Sequence, residues 1–182
     1  MLKELNNAFS KLELHTQELI TELAELNQAD FNHTPAPGKW SCGQILEHLH
    51  LSFTGTNLYL QKKLQYPESF GQNRLMAFLR SKTLTFFLQS NFKFKAPKRL
   101  EVIQEIVDFR ETTEKLNEQL RILKGILEGF PPSLRYKNAF RHPIVGLITI
   151  GQTVHFMDEH LIHHSKQIKG IIKNLHLSYQ PG

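Results

Sequence analysis

Cysteine is almost absent from this 182-residue chain. A single thiol, Cys42, excludes an internal disulfide and any zinc module built from clustered cysteines. Long apolar runs are missing too. No stretch approaches the roughly 18 consecutive apolar residues of a membrane span, and the N-terminal MLKELNNAFSKLELH has no apolar signal core. These absences predict a soluble, cytoplasmic protein that does not enter membranes. Hydrophobic residues at 40% and charged residues at 21% argue against disorder. At this length, one domain over residues 1–182 is the simplest organisation.

Acidic residues are scarce in one place. Between residues 66 and 99 stand Arg74, Arg80, Lys82, Lys93, Lys95, Lys98 and Arg99 against Glu68 alone. The net charge of +5 therefore comes from this segment, and the remainder is slightly negative. Phe70, Phe78, Phe86, Phe87, Phe92 and Phe94 fall in the same stretch. Basic groups beside an apolar mouth could receive an anionic ligand; the plainer reading is a lid with buried aromatics and solvated lysines. No nucleic-acid motif accompanies the basic residues, so nucleic acid is not an expected partner.

Four stretches carry helical periodicity. Leu2, Leu5, Phe9, Leu12, Leu19, Leu23 and Leu26 recur at spacings of three and four, with Thr16 in the gap, and predict a helix over residues 2–26. Asn27–Lys39, with Pro35, Pro37 and Gly38, reads as a connecting loop. Ser41 and Gln44 form a capping box that starts a second helix, with Trp40 placed as a hydrophobic staple and Ile45, Leu49, Phe53, Leu60 and Leu64 inward. That helix fades near Tyr66-Pro67. Arg74–Leu88 is compatible with a short helix or a strand, and Phe92–Pro97 with an extended approach. A third long helix is expected over residues 99–127, with Ile103, Ile106, Val107, Leu116, Leu120, Leu123 and Leu127 inward. Gly129 to Pro143 reads as a long loop. The capping box Thr149/Gln152 opens the fourth helix, whose seam runs Ile150, Val154, Met157, Leu161, His164, Ile168, Ile171, Leu175. The architecture expected is all-α: a four-helix bundle with an irregular basic insertion between helices 2 and 3.

One position in that last seam is foreign to a plain core. His164 stands where Leu or Ile belongs, and His160 lies one turn earlier, about 40° round the helix. Two imidazoles so placed can share a metal ion, provided a third ligand comes from another helix. His48, beside Ile45 and Leu49, is the candidate. His50 is about 200° from His48, and His163 about 100° from His164, so both face elsewhere. The alternative is that these are hydrogen-bonded core histidines. Gln44 and Gln167 are candidates to accept the second N–H of ligating rings, or else simply a cap and a boundary residue. A tri-histidine set leaves coordination positions open and suits Lewis-acid chemistry. Zinc and nickel fit imidazole best, with iron or manganese also compatible. Cys42, in the first turn of the second helix, would be activated by the helix dipole if exposed and is otherwise a small capping-turn residue.

At these residues the sequence resembles the DinB/YfiT-like family of metal-dependent bundles. Lys39-Trp-Ser-Cys-Gly-Gln-Ile-Leu-Glu-His48-Leu is similar to its W-S-x-x-[EQ]-[IL]-x-x-H-[IL] signature, and His160-Leu-Ile-His-His164-Ser-Lys-Gln167-Ile to its H-x-x-x-H-x-x-Q-[IL] element. His142-Pro-Ile-Val-Gly146-Leu-Ile-Thr149 is similar to the lead-in of one branch. Ser165-Lys166 departs from the Arg-Gly common after the last ligand. The resemblance implies metal ligands at His48, His160 and His164, the set that helix geometry also selects. It further implies an enzyme of the thiol S-transferase or hydrolase type, using water or a low-molecular-weight bacterial thiol such as bacillithiol or mycothiol on a small electrophile. A non-catalytic metal- or ligand-binding bundle that works through a protein partner is the alternative, and a homodimer is compatible with either.

Overall fold

The computed structural model describes residues 1–71, 105–142 and 146–178, with side chains as far as Leu175. The expectations for Arg74–Leu88 and Phe92–Pro97, and most of the basic, Phe-rich stretch, lie outside the described residues. Four long helices form the body: α1 (Lys3–Ala24), α3 (Cys42–Leu64), α4 (Phe109–Glu128) and α5 (Ile150–Ser178), with a short α2 (Gln28–Asn32) after the first. None of the described helices is long and apolar enough to cross a membrane.

The apolar seams become the core. Leu5, Phe9, Leu12, Leu19 and Leu23 of α1 are buried, and so is Thr16, whose hydroxyl donates to the Leu12 carbonyl at 2.7 Å and needs no other partner. Every seam residue of α5 from Ile150 to Leu175 is buried, His164 included. Both capping boxes are closed, Ser41 with Gln44 and Thr149 with Gln152.

Three expectations need correction. Within the predicted loop, Asn27 caps α2 by accepting from the Asp30 amide, and this single turn drives Phe31 into the core, edge-on to Phe109. The third helix starts at Phe109, because Asp108 is a strong N-cap that accepts from the Glu111 amide at 2.8 Å. Ile106 is accordingly 72% exposed rather than inward. Val107 is buried off the helix, its backbone held by the Asn32 and Gln28 side chains. Finally, the stretch before α5 contains a hairpin, β1 (Phe140–His142) antiparallel to β2 (Gly146–Ile148), with Gly146 at φ +78°. Strands of three residues are too short to show alternation in a sequence.

The packing order differs from the chain order. α1 packs chiefly on α5 and α3 on α4, with sparser contacts of α1 to α4 and α3 to α5 completing the ring. Leu5 sits beside Gly151, His15 beside Asp158 and Glu22 beside Lys169, so α1 and α5 run parallel. Gly43 meets Val107, Glu47 meets Thr112 and Asn57 meets Gln119, so α3 and α4 are parallel too. Between the pairs the sense reverses: Trp40 lies near His164, while Tyr59 reaches Phe140, which stacks on Phe156. Parallel neighbours require a connection that returns along the whole bundle, about 35 Å for a helix the length of α3.

Gly43 marks the tightest approach. A Cβ there would lie 2.9 Å from Phe31, 3.0 Å from Asn32 and 3.1 Å from Val107. Gly43→Ala is expected to destabilise the protein by about 1–3 kcal/mol through overpacking. Gly125→Ala, which meets nothing within 4 Å, should stabilise by about 0.5–1 kcal/mol through helix propensity. Urea unfolding of the two variants side by side checks both signs.

Candidate metal centre

The capping box at Ser41 starts α3 so that His48 falls on the stripe of Ile45 and Leu49, facing the middle of α5. There His160 and His164, one turn apart, point back at it. The Nε2 atoms of His48 and His160 lie 3.2 Å apart, and those of His160 and His164 2.9 Å apart. One ligand atom from each ring lies within 4.8 Å of the others. An ion about 2.0–2.1 Å from each imidazole nitrogen sets nitrogen pairs about 2.9 Å apart at right angles and about 3.4 Å apart at the tetrahedral angle. The His48–His160 and His160–His164 pairs fit a divalent ion on that measure. No carboxylate or thiolate joins them among the described residues.

The charge state fits as well. Burial pushes His48 down to about 4, reinforced by His163. Burial, then His48, pushes His164 down to about 3, although its bond to Gln167 opposes this. His160 keeps some accessible surface, yet it is packed among His48, His164 and a parallel Phe156 ring. Burial and the neighbouring imidazoles hold it well below the ordinary 6.5. All three rings are therefore neutral at neutral pH. Gln167 Oε1 can only accept, so the His164 proton is on Nδ1, which donates to it at 2.9 Å, and Nε2 keeps its lone pair toward the cluster. Without an ion, either a His160 N–H is shared between both neighbours, or a His48 N–H donates to His160 and leaves the His160 and His164 lone pairs facing each other. A cation would accept all three lone pairs.

Two aromatic walls enclose the histidines. Trp40, half-buried, lies 4.9 Å from the His48 ring and 6.5 Å from that of His164. It does more than staple the first turn of α3. On the other side Phe156 stacks on His160 at 5.5 Å and receives His142 at 4.4 Å, with Phe140 and Tyr59 behind. His142 is buried, and burial pushes it down to about 4. Spacing along the chain does not connect His142 to the cluster; its only sequence signal is the His-Pro lead-in.

Gln167 partners His164, not His160. Gln44 spends its side-chain oxygen on the Ser41 amide, and His48 Nδ1 is buried with no hydrogen-bond partner among the described residues. His50 turns away to Glu47 at 3.5 Å, where it holds that carboxyl below its usual range. Asp158 does not point outward, as its place in the sequence suggests: it is buried on the α1 side and accepts from His15 at 2.7 Å. Cys42 is fully buried and its thiol is pushed up to about 12, so it is a packing residue and not a nucleophile.

Three comparisons bear on this arrangement. The family model described as the DinB superfamily matches residues 11–168. An uncharacterized Bacillus subtilis protein, YuaE, is 23% identical over 158 residues, which is 85% of this chain and 90% of that protein. A solved structure of YfiT from Bacillus subtilis, described as a probable metal-dependent hydrolase with an unusual four-helix bundle topology, superposes with a TM-score of 0.63. It shares 16% identity, over 96% of this chain and 90% of that one, and this likeness shows the fold.

Neutral buried histidines carry a pH signature. With folded values near 4, 4 and 3 for His48, His142 and His164, the unfolded chain takes up protons first as the pH drops below about 6.5. Metal-free protein should be at full stability above that pH and lose up to about 1.4 kcal/mol per pH unit per histidine between there and pH 4. Urea midpoints with chelator at pH 7.5 and pH 5 test this; equal midpoints would contradict it. Gln167→Ala, which removes the acceptor for His164, is expected to weaken zinc binding about 10- to 100-fold, as read by competition with a chromophoric chelator.

Proposed function

The chain belongs to the DinB superfamily, and on that premise we propose that it is a metal-dependent enzyme in which His48, His160 and His164 hold one divalent ion. Its reaction is attack by a small nucleophile, water or a low-molecular-weight thiol, on a small electrophilic substrate. The observation that carries the reading is the convergence of three neutral imidazoles, with Nε2 pairs at 2.9 and 3.2 Å, on the apolar seams of two helices. Zinc or nickel suits an all-imidazole set best, with iron or manganese as further candidates. A divalent ion on three neutral ligands keeps its full charge and open positions, and supplies the Lewis acidity that ionises a thiol or water near neutral pH.

The chain's own residues prepare that chemistry. Gln167 holds the His164 ring in the tautomer that leaves Nε2 bare. Phe156 lies flat against His160, and Trp40 packs at a tilt on His48, so neither ring can swing out of the cluster without losing an aromatic contact. The same two aromatics limit the water around the ion, which strengthens its field on whatever binds there. Among the described residues no carboxylate lies in the cluster to serve as a general base. With an ion bound, the pKa of the nucleophile would fall enough for bulk water or buffer to take its proton. Of the two nucleophiles water is the simpler, because it needs no binding site of its own.

Metal content by plasma mass spectrometry on untagged protein is the test, wild type beside His164→Ala. About one divalent ion per chain is expected, lost in the variant. Wild type that is metal-free, and that also takes up none of zinc, nickel or manganese, would overturn the reading. Metal-loaded protein is then screened on activated esters, amides and thiol-reactive electrophiles, with and without bacillithiol, mycothiol or cysteine. Turnover without added thiol identifies water as the nucleophile, and turnover only with it identifies the thiol. Metal uptake with no turnover on either panel would favour the non-catalytic binding bundle.

A further inference from the structure

His163 is next to a proposed ligand in sequence yet turned about 100° away from it, and helical spacing leaves it out of the site. The structure ties it in through Gln167. The carboxamide sits between two rings: His164 Nδ1–H donates to its Oε1 at 2.9 Å, and its Nε2–H donates to His163 Nε2 at 3.0 Å. The two imidazoles also touch edge to face, with centroids 5.2 Å apart.

A carboxamide has one accepting end and one donating end. It can accept from His164 and donate to His163, or the reverse. In the reverse orientation its NH2 would face His164, whose Nδ1 would then have to accept and whose proton would move to Nε2. That proton would occupy the lone pair that points into the cluster. The orientation of one amide therefore decides whether His164 presents a lone pair or an N–H to the ion. His164 cannot enforce the first choice alone, since either tautomer can satisfy an amide. The other end of the amide couples this choice to His163, whose Nε2 accepts when the amide lies as observed.

We propose that His163 is a positioning residue for the metal centre: by accepting from Gln167 it holds the amide with Oε1 toward His164, keeps the His164 proton on Nδ1, and leaves Nε2 bare. This rests on the reading of His164 as a metal ligand. An ion that binds only one of two tautomeric arrangements has its apparent affinity scaled by the fraction of that arrangement, so the effect is read in binding and not in folding. Because Gln167 and His163 lie one turn apart on a single helix, with His163 only half-buried, their bond adds little to the stability of the bundle.

The test is a double-mutant cycle on zinc affinity, by competition with a chromophoric chelator. His163→Ala removes the acceptor and should weaken zinc binding about threefold, while His163→Lys, a donor only, should turn the amide round and weaken it about tenfold or more. In the Q167E background both side-chain oxygens accept, orientation no longer matters, and the same changes at position 163 should cost less than about twofold. A second readout is independent of metal. In metal-free wild type, long-range proton–nitrogen NMR spectra should show His164 protonated on Nδ1, and H163K should move that proton to Nε2. Equal losses in both backgrounds, no loss in the native background, or an unmoved His164 tautomer in H163K would overturn the inference. If wild type binds no zinc at all, the metal reading falls instead, and the tautomer spectrum alone decides the role of His163.

Discussion

Three imidazole nitrogens facing one another inside a hydrocarbon core is the constraint on which the rest of this bundle depends. Each ring has lost water, and its charged form is suppressed by burial. What remains is a set of neutral rings, each with one N–H and one lone pair, and the His164 proton is turned away to Gln167. Such a cluster is costly unless its geometry is held. The surroundings supply that restraint: Ser41 sets the start of α3, Trp40 and Phe156 press on the rings, and Gln167 fixes one proton. The departure from an apolar seam at His164 is a local violation of core patterning, and local violations concentrate where function resides.

The topology serves the same constraint. Pairing α1 with α5 and α3 with α4, each in parallel, places α3 against α5 across the junction between the pairs. His48 near the beginning of α3 can then meet the middle of α5, because the two helices run in opposite senses. The hairpin ahead of α5 closes the other flank by laying Phe140 and His142 on Phe156. Gly43 and the Asn32 side chain, which binds both the N–H and the C=O of Val107, lock α2 and the start of α4 against α3. The site is thus flanked by α3, α5 and the hairpin, with α2 and the start of α4 bracing α3.

The seams of α1 and α5 were legible because long amphipathic helices repeat one signal many times. Both capping boxes were legible because their chemistry is local, within four residues. Where the signal was short or shared, the sequence misled. The apolar spacing of Ile103, Ile106 and Val107 continues the phase of α4, yet Asp108 ends the helix first, since a side-chain cap outweighs periodicity over a single turn. Three-residue strands and a five-residue helix offer too few positions for any period to stand out. Asp158 reads as a solvent-facing acid until α1 brings His15 to it.

By itself the sequence determined the helical class, the caps, and a histidine in the wrong place on an apolar stripe, with another one turn away and a third beside the apolar stripe of a second helix. These are properties of single helices, set by 3.6-residue periodicity and by hydrogen bonds between near neighbours. Only the tertiary structure decided which ring nitrogens meet, which helices run parallel, and that Trp40 and His142 belong to the neighbourhood of α5. Those outcomes depend on distances between chain segments more than 100 residues apart, and no local periodicity encodes them. Helix packing angles and the competition of each polar group for its nearest partner settle them instead.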